Sequence, residues 1–189
     1  MKKARLQSKV RYDILDPNKC IERVCIMGKI VCFTGKRPQN MPFKFDEYHP
    51  RCIALKEKMY NEIEKLISIG CSHFITGMAL GVDIWAAEAV LYFKRRGMPV
   101  LLEAAIPCKG QEKRWSVKYQ ERYRHILEQC DKVTCIAEIY EKDCMKRRNE
   151  YMVDKSDVVV AVCNDKTGGT GATLHYAQSR HKIILIVNY

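Results

Sequence analysis

Several common signatures of enzyme active sites are missing from this sequence of 189 residues. The glycines after the first predicted strand do not follow GxGxxG, so the ordinary dinucleotide fingerprint is absent. GxxxxGK[ST] does not occur, which excludes a P-loop NTPase, and GxSxG is missing as well. No two cysteines have CxxC spacing, and we expect no metal site and no resident cofactor.

Apolar runs of transmembrane length and signal-peptide patterns are also lacking. We therefore expect a soluble, cytoplasmic protein with no membrane partner. The ten cysteines then predict reduced thiols, several of them in the core, as is usual in a reducing compartment.

The chain is long enough for one well-packed domain, and 47% of its residues are hydrophobic. Residues 1–27 are basic and weakly patterned, which predicts an N-terminal arm or extension. Residues 28–189 form the predicted single domain. The net charge of +11 is a weak indication of a polyanionic or nucleotide partner, because excess lysine on a solvated face needs no function.

Predicted strands and helices alternate along the domain. Short, apolar, β-branched segments predict strands at 29–34, 73–76, 100–105, 132–136, 158–162 and 183–187. Helical periodicity or composition predicts helices at about 50–69, 82–96, 119–129, 144–154 and 172–179. This order predicts an α/β, Rossmann-like open parallel sheet with helices on both faces.

The most informative stretch is 157–177, where a buried strand is followed by Gly168, Gly169, Thr170 and Gly171 and then by a helical segment. A glycine-rich turn before a helix can present free N–H groups and a positive dipole end to an anion. Thr170 and Thr173 add hydroxyl groups. The alternative is an ordinary tight connection between strand and helix.

Three polar or glycine-rich turns follow strands, at 35–38, 77–81 and 168–171. In a parallel sheet all three open on the carboxyl edge, where ligands bind at a topological switch point. Their convergence predicts a ligand crevice that includes Gly35, Gly77 and Gly81.

Cations at this edge suit a phosphate. Lys36 and Arg37 could neutralise it, and Arg148 with Asn149 could complete the site. Ordinary solvated surface cations are the alternative. Asp83 could accept a hydrogen bond from a ribose hydroxyl or a base edge, or could simply favour the dipole of its own helix.

A base could be covered by the long loop after the third strand. Gln111 and Trp115 are the candidates for this role, although Trp115 could equally belong to the core.

Five segments, in this order, resemble the YpsA-like branch of the SLOG superfamily. They are CFTGKRP (32–38), ITGMALGVDIWAAE (75–88), AAIPC (104–108) with Gln111 and Trp115, RNEYMVDKSD (148–157) and GGTGATLHYA (168–177). The resemblance covers residue 29 to the C-terminus and implies a Rossmann-like fold with a pocket for a nucleotide-derived ligand. It implies no particular reaction.

The same superfamily includes the LOG phosphoribohydrolases and the Smf/DprA DNA-processing proteins. The LOG motif PGGxGTxxE ends in a catalytic glutamate, and His175 occupies that position in this chain. The LOG arginine is retained as Arg148. If the protein is an enzyme, the resemblance implies an N-glycosidic hydrolase, with Glu88, Asp83 and Arg148 as catalytic candidates.

Our leading hypothesis is a module that senses or sequesters an ADP-ribose-like, NAD-like or nucleoside phosphate ligand. The alternatives are a nucleoside 5′-phosphate N-glycosidase and a single-stranded DNA-binding protein of the Smf/DprA kind. The last is weakly supported, because no basic run in the sequence is interleaved with aromatic residues. A homo-oligomer is expected only by analogy with the superfamily.

Overall fold

The computed structural model describes residues 28–165 and 167–189, so the predicted arm at 1–27 lies outside the described residues. Six strands form one sheet: β1 (Ile30–Gly35), β2 (His73–Thr76), β3 (Leu101–Cys108), β4 (Lys132–Ala137), β5 (Val158–Val162) and β6 (Ile183–Val187). The α-helices of the described residues are α1 (Pro50–Ser68), α2 (Val82–Arg95), α3 (Val117–Gln129), α4 (Cys144–Lys155) and α5 (Gly168–Ser179).

The sheet has the strand order β4-β3-β2-β1-β5-β6, and every neighbouring pair is parallel. The chain moves outward from β1 through β2, β3 and β4, then returns to place β5 on the other side of β1. The predicted α/β, Rossmann-like open parallel sheet is confirmed. Its topological switch point lies between β1 and β5, which is where such sheets place their ligand crevice.

The two faces of the sheet bury separate sets of alternating side chains. In β5, Val158, Val160 and Val162 belong to the core that also contains side chains of α1, α2 and α3, whereas Val159 and Ala161 belong to the core that contains side chains of α4 and α5. Such strands, buried on both faces, are continuous apolar runs, which is why the sequence identified them so readily. The helices therefore cover both faces, three on one side and two on the other.

The helix α1 begins and ends where local chemistry predicts. The imidazole Nδ1 of His49 accepts a hydrogen bond from the N–H of Arg51 at 3.1 Å, and Pro50 occupies the first helical position. At the other end, Gly70 has φ +98°, a left-handed conformation that glycine adopts without strain.

Two boundaries differ most from the sequence predictions. Strand β3 continues through Pro107 to Cys108 because its pairing with β4 extends to Ala137, whereas the sequence predicts its end at 105. Helix α5 begins at Gly168, so the glycines form its first turn and do not precede it. Because glycine has a low helix propensity, the sequence alone does not predict that this turn is helical.

The cysteines among the described residues form no disulfide, and six of the eight are buried. In the same part of the chain, no helix combines the length and apolar character needed to cross a membrane.

Two carboxylates converge on the guanidinium of Arg122 in α3. Arg122 donates to Glu47 of the loop before α1 and to Glu88 of α2, with the shortest contact to each carboxylate at 2.5 Å. Lys56 of α1 pairs with Glu47 as well. Burial acts to raise the pKa of Glu47, but the hydrogen bonds from Arg122 and Lys56 outweigh it and hold that pKa at about 2. The junction joins α1, α2 and α3 on one face.

We predict that Glu47 makes unfolding pH-dependent in acid. Its folded pKa of about 2 lies below the ordinary 4.5, so its stabilisation is complete above pH 4.5 and is lost as the pH falls toward 2. The loss amounts to at most about 3 kcal/mol. Denaturant unfolding of Glu47→Gln should show a shallower acid slope than the unmodified protein, whereas the exposed Glu57→Gln should keep it. Equal slopes for Glu47→Gln and the unmodified protein would contradict this assignment.

Candidate functional site

A cleft of about 370 Å³ opens at the switch point, on the carboxyl edge of the sheet. Segments that follow β1, β2 and β5 line it, together with α4. The structure brings most of the predicted site residues to its wall: Gly35, Lys36, Arg37, Asp83, Arg148, Asn149, Gly168, Gly169 and Thr170.

The N-terminus of α5 forms one wall of the cleft. Gly168 has φ +65°, and a Cβ built on either Gly168 or Gly169 would meet no atom within 4 Å. The first intrahelical bond found here runs from the N–H of Gly171 to the carbonyl of Thr167, at 3.2 Å. The amides before Gly171 have no acceptor within the helix, since helical geometry provides none for the first turn. This wall therefore presents backbone N–H groups that can donate hydrogen bonds to an anion.

The side chain of Lys36 is hydrogen-bonded to the loop that leads into α5. Its Nζ donates to Asp165 Oδ1 at 2.6 Å and to Thr167 Oγ1 at 2.8 Å, and only 12% of its side chain is exposed. The hydrogen bond from Lys36 lowers the pKa of Asp165 to about 2, with hydrogen bonds from Thr167 adding to the effect. Lys36 therefore fixes the position of the α5 N-terminus relative to β1.

The next residue, Arg37, has an exposed side chain at the mouth of the cleft, unlike the mostly buried Lys36. Within residues 28–165 and 167–189, no hydrogen bond or ion pair engages its guanidinium. Arg37 is thus a cation available to a ligand.

Arg148 of α4 is almost fully buried, with 5% of its surface exposed. Its Nη1 donates to the carbonyl of Gly77 and lies 3.4 Å from Asp83 Oδ2. A Cβ on Gly77 would overlap the guanidinium, so this position must lack a side chain. Asp83 also accepts from the N–H of Ala79 at 3.1 Å, which shapes the turn before α2.

Burial governs the electrostatics of this pair. It raises the pKa of Asp83, against the opposing effects of Arg148 and the Ala79 amide. The Nε of Arg148 is buried without a hydrogen-bond partner among the described residues. The Nε–H group of this guanidinium is therefore unsatisfied among the described residues, which is costly for a buried donor.

Asn149 joins α4 to α5. Its Nδ2 donates to Thr173 Oγ1 at 3.0 Å, and the Thr173 hydroxyl donates to the carbonyl of Gly169 at 2.9 Å. Thr173 and Gly171 are buried behind the wall and do not line the cleft. They hold the first turn of α5 in place.

Other predicted residues lie outside the cleft. Gly81 caps α2 with φ +90°, and its Cβ would come within 2.8 Å of Pro38. Gln111 donates to the carbonyl of Met78 at 3.2 Å, and Trp115 packs edge-on against Tyr123 with ring centroids 5.4 Å apart. Glu88 is held by Arg122.

Sequence reasoning did not select several residues that line the cleft, among them Gln39, Asn40 and Met145. Gln39 and Asn40 belong with Pro38 to a short 3-10 turn directly after Arg37. Their place immediately after the first strand-to-helix turn was the available signal. Met145 precedes Arg148 by one helical turn, so it shares the same face of α4.

The sequence of this chain matches the YpsA family model, described as the YspA SLOG family, over residues 31–183. The chain belongs to this SLOG family. It is similar to the UPF0398 protein BH1768 of Halalkalibacterium halodurans, with 31% identity over 157 residues that cover 82% of each chain. It is also similar to the SPbeta prophage-derived protein YoqJ of Bacillus subtilis, with 32% identity over 146 residues covering 70% of this chain and 85% of YoqJ.

Solved structures similar to this SLOG protein include two DNA processing A proteins. The Helicobacter pylori protein, described for its single-stranded DNA binding mode, aligns with a TM-score of 0.58 and 20% identity over 93% of this chain and 75% of its own. The Streptococcus pneumoniae protein has the same TM-score and 15% identity over 87% and 51%. At these identities the likeness supports the fold alone.

We predict that Gly77→Ala destabilises the protein and displaces Arg148. The added Cβ overlaps the guanidinium, and overpacking of this kind costs about 2 kcal/mol. Urea unfolding measures the loss. Gly169→Ala is the matched control, because its Cβ enters open space, and its unfolding free energy should change by less than about 1 kcal/mol. Equal stability of the two variants would show that the packing around Arg148 is not tight.

Proposed function

We propose that this cleft binds a nucleotide-derived ligand and that the protein senses or sequesters it. The observation that carries this proposal is that the open N-terminus of α5 and two arginines, Arg37 and Arg148, line the same cleft. Backbone amides at a helix N-terminus bind phosphate, and arginine adds charge-assisted hydrogen bonds. The two features together favour an anionic ligand over a neutral one.

The size and walls of the cleft support a nucleotide over free phosphate. Its volume of about 370 Å³ falls within the range of small-molecule sites, about 300–1,000 Å³. Leu80 and Met145 contribute apolar surface, whereas Gln39 and Asn40 contribute amides that can donate and accept. A phosphate at α5 leaves this remaining wall for a sugar and a base.

The hydrolase alternative depends on Asp83. Asp83 is the one carboxylate among the described residues that line the cleft, and burial raises its pKa, as a general acid requires. Glu88 has no such position, since both its oxygens accept from Arg122. If turnover occurs, Asp83 is the better candidate for the acid.

The cleft is a poor site for single-stranded DNA. Phe33 is the one aromatic residue of its described lining, and it is 2% exposed. Bases of a single strand stack on accessible rings, which this wall does not offer. The single-stranded DNA binding of the structurally similar Helicobacter pylori protein therefore gives no support for DNA in this cleft.

We predict that Gly169→Asp abolishes nucleotide binding. Its carboxylate would repel a phosphate at the α5 N-terminus, whereas a Cβ at this position enters open space. The unmodified protein is screened by thermal shift against AMP, ADP-ribose and NAD, and a ligand at 100 times its dissociation constant adds about 2.7 kcal/mol of stability. Gly169→Asn is the matched control, similar in size but uncharged, and should retain most of the shift.

Arg37→Ala should weaken the same ligand about tenfold, since a charge-assisted hydrogen bond contributes about 1.5 kcal/mol. The exposed Arg114→Ala, away from the cleft, should leave affinity unchanged. Unaltered binding by Gly169→Asp would place the ligand elsewhere, and the absence of a shift with any nucleotide would reject the proposal.

Turnover is tested on the same ligands by mass spectrometry of free base and sugar phosphate. If base is released, Asp83→Asn should reduce the rate at least a hundredfold, in line with the loss of a general acid. Glu88→Gln should leave it within about twofold, because Glu88 is engaged with Arg122. If Glu88→Gln lost activity and Asp83→Asn kept it, Glu88 would be the acid instead. If the ligand stayed intact in all samples, the result would support sensing or sequestration.

A further inference from the structure

Two exposed aromatic side chains lie close together in the connection between β1 and α1. Tyr48 is 85% exposed and Phe45 is 47% exposed. Single exposed apolar residues are ordinary, but neighbouring exposed rings indicate an interaction surface. Phe43, in the same connection, is 4% exposed, so the segment has a buried anchor and an outward aromatic face.

This segment is held against the start of α3. The rings of Phe45 and Tyr119 have centroids 6.2 Å apart, and Arg122 of α3 pairs with Glu47. Gln120, next to Tyr119, donates to the carbonyls of Lys113 and Trp115 at 3.3 and 2.9 Å. The turn at 113–115, the first turn of α3 and the aromatic segment therefore form one continuous surface.

Exposed cations lie in the same segments as the rings. We define the stacking surface by its two rings and four cations: Phe45, Tyr48, Lys44, Lys113, Arg114 and Lys118. All four cations are exposed, and none has an ion pair within the described part of the chain.

The acidic groups of these segments do not cancel that charge. Glu47 is neutralised by Arg122 and Lys56. Asp46 accepts the N–H of Tyr48 at 3.0 Å, which shapes the turn. The carboxylates of Asp46, Glu112 and Glu121 have no ion pair among the described residues, so the four cations exceed them by one.

We propose that the stacking surface binds single-stranded nucleic acid, with bases stacked on Tyr48 and Phe45 and phosphates near the surrounding cations. Exposed aromatic rings together with cations recognise a single strand without regard to sequence, because every base has a π face. A duplex would not expose its bases to these rings. The site is separate from the cleft and does not depend on the nucleotide proposal.

The surface was not evident from the sequence, because its parts are far apart along the chain. Residues 44–48 and 113–118 come together only after β1 and β3 place both segments at the carboxyl edge of the sheet. A search for aromatic residues within one basic run could not find it.

The test is fluorescence anisotropy of the full chain with labelled oligothymidylate and oligouridylate of about 20 nucleotides, and with a duplex of the same length. We expect either single strand to bind more tightly than the duplex, and the preference between them identifies DNA or RNA. Tyr48→Ala and Phe45→Ala should each weaken binding about tenfold, in the range of one stacked base. Lys118→Ala should lower the slope of log affinity against log salt by about 0.7.

Tyr140→Ala and Lys155→Ala are the matched controls, since Tyr140 is 69% exposed and Lys155 is exposed outside the stacking surface. Both should bind as the unmodified protein does. Tyr48 is so exposed that its replacement should not affect folding, which circular dichroism checks. Failure of all strands to bind, equal binding of the duplex, or equal losses in Tyr140→Ala would overturn the proposal.

Gly169→Asp separates this site from the cleft. It should bind the single strand normally while losing nucleotide, and Tyr48→Ala should do the reverse. If Gly169→Asp alone abolished strand binding, the strand would lie in the cleft, and the stacking surface would be rejected while the cleft proposal remained.

Discussion

The burial of one guanidinium determines most of the local geometry at the cleft. Arg148 is almost fully removed from water, so its charge must be compensated by nearby groups. Asp83 supplies an opposite charge, the Gly77 carbonyl accepts a hydrogen bond, and the missing side chain at Gly77 provides the space. Each requirement restricts the turn between β2 and α2. Arg148 of α4 thereby fixes the turn that leads into α2.

This ion pair also crosses the carboxyl edge of the sheet. Asp83 lies in the first turn of α2, which packs on one face, and Arg148 comes from α4, which packs on the other. Lys36 makes a second connection, from the end of β1 to the loop before α5. The cleft is therefore built from both layers, and its walls are set by polar contacts at the sheet edge. The two hydrophobic cores determine where the helices lie, and these contacts determine the shape of the site.

Sequence reasoning succeeded where one physical cause acted alone. The doubly buried strands, such as Val158–Val162, were evident because parallel sheets require continuous apolar runs. The parallel topology predicted that the strand-to-helix turns meet at one edge of the sheet and that Arg37, Asp83 and Arg148 lie together there. The sequence could not distinguish Lys36, which pairs with Asp165, from Arg37, whose guanidinium has no ion pair among the described residues, because pairing depends on three-dimensional distance. Nor could it show that Glu88 belongs to Arg122 or that Gln111 bonds to Met78.

The Arg148–Asp83 contact has a consequence for cooperativity. If α4 opened by itself, Asp83 would lose its cationic partner while still buried at the start of α2, and uncompensated buried charge is strongly destabilising. Partial opening of one layer therefore costs free energy in the other. Because opening of either layer is opposed by the other, we expect the helices on the two sides of the sheet to exchange their amide hydrogens as a single cooperative unit.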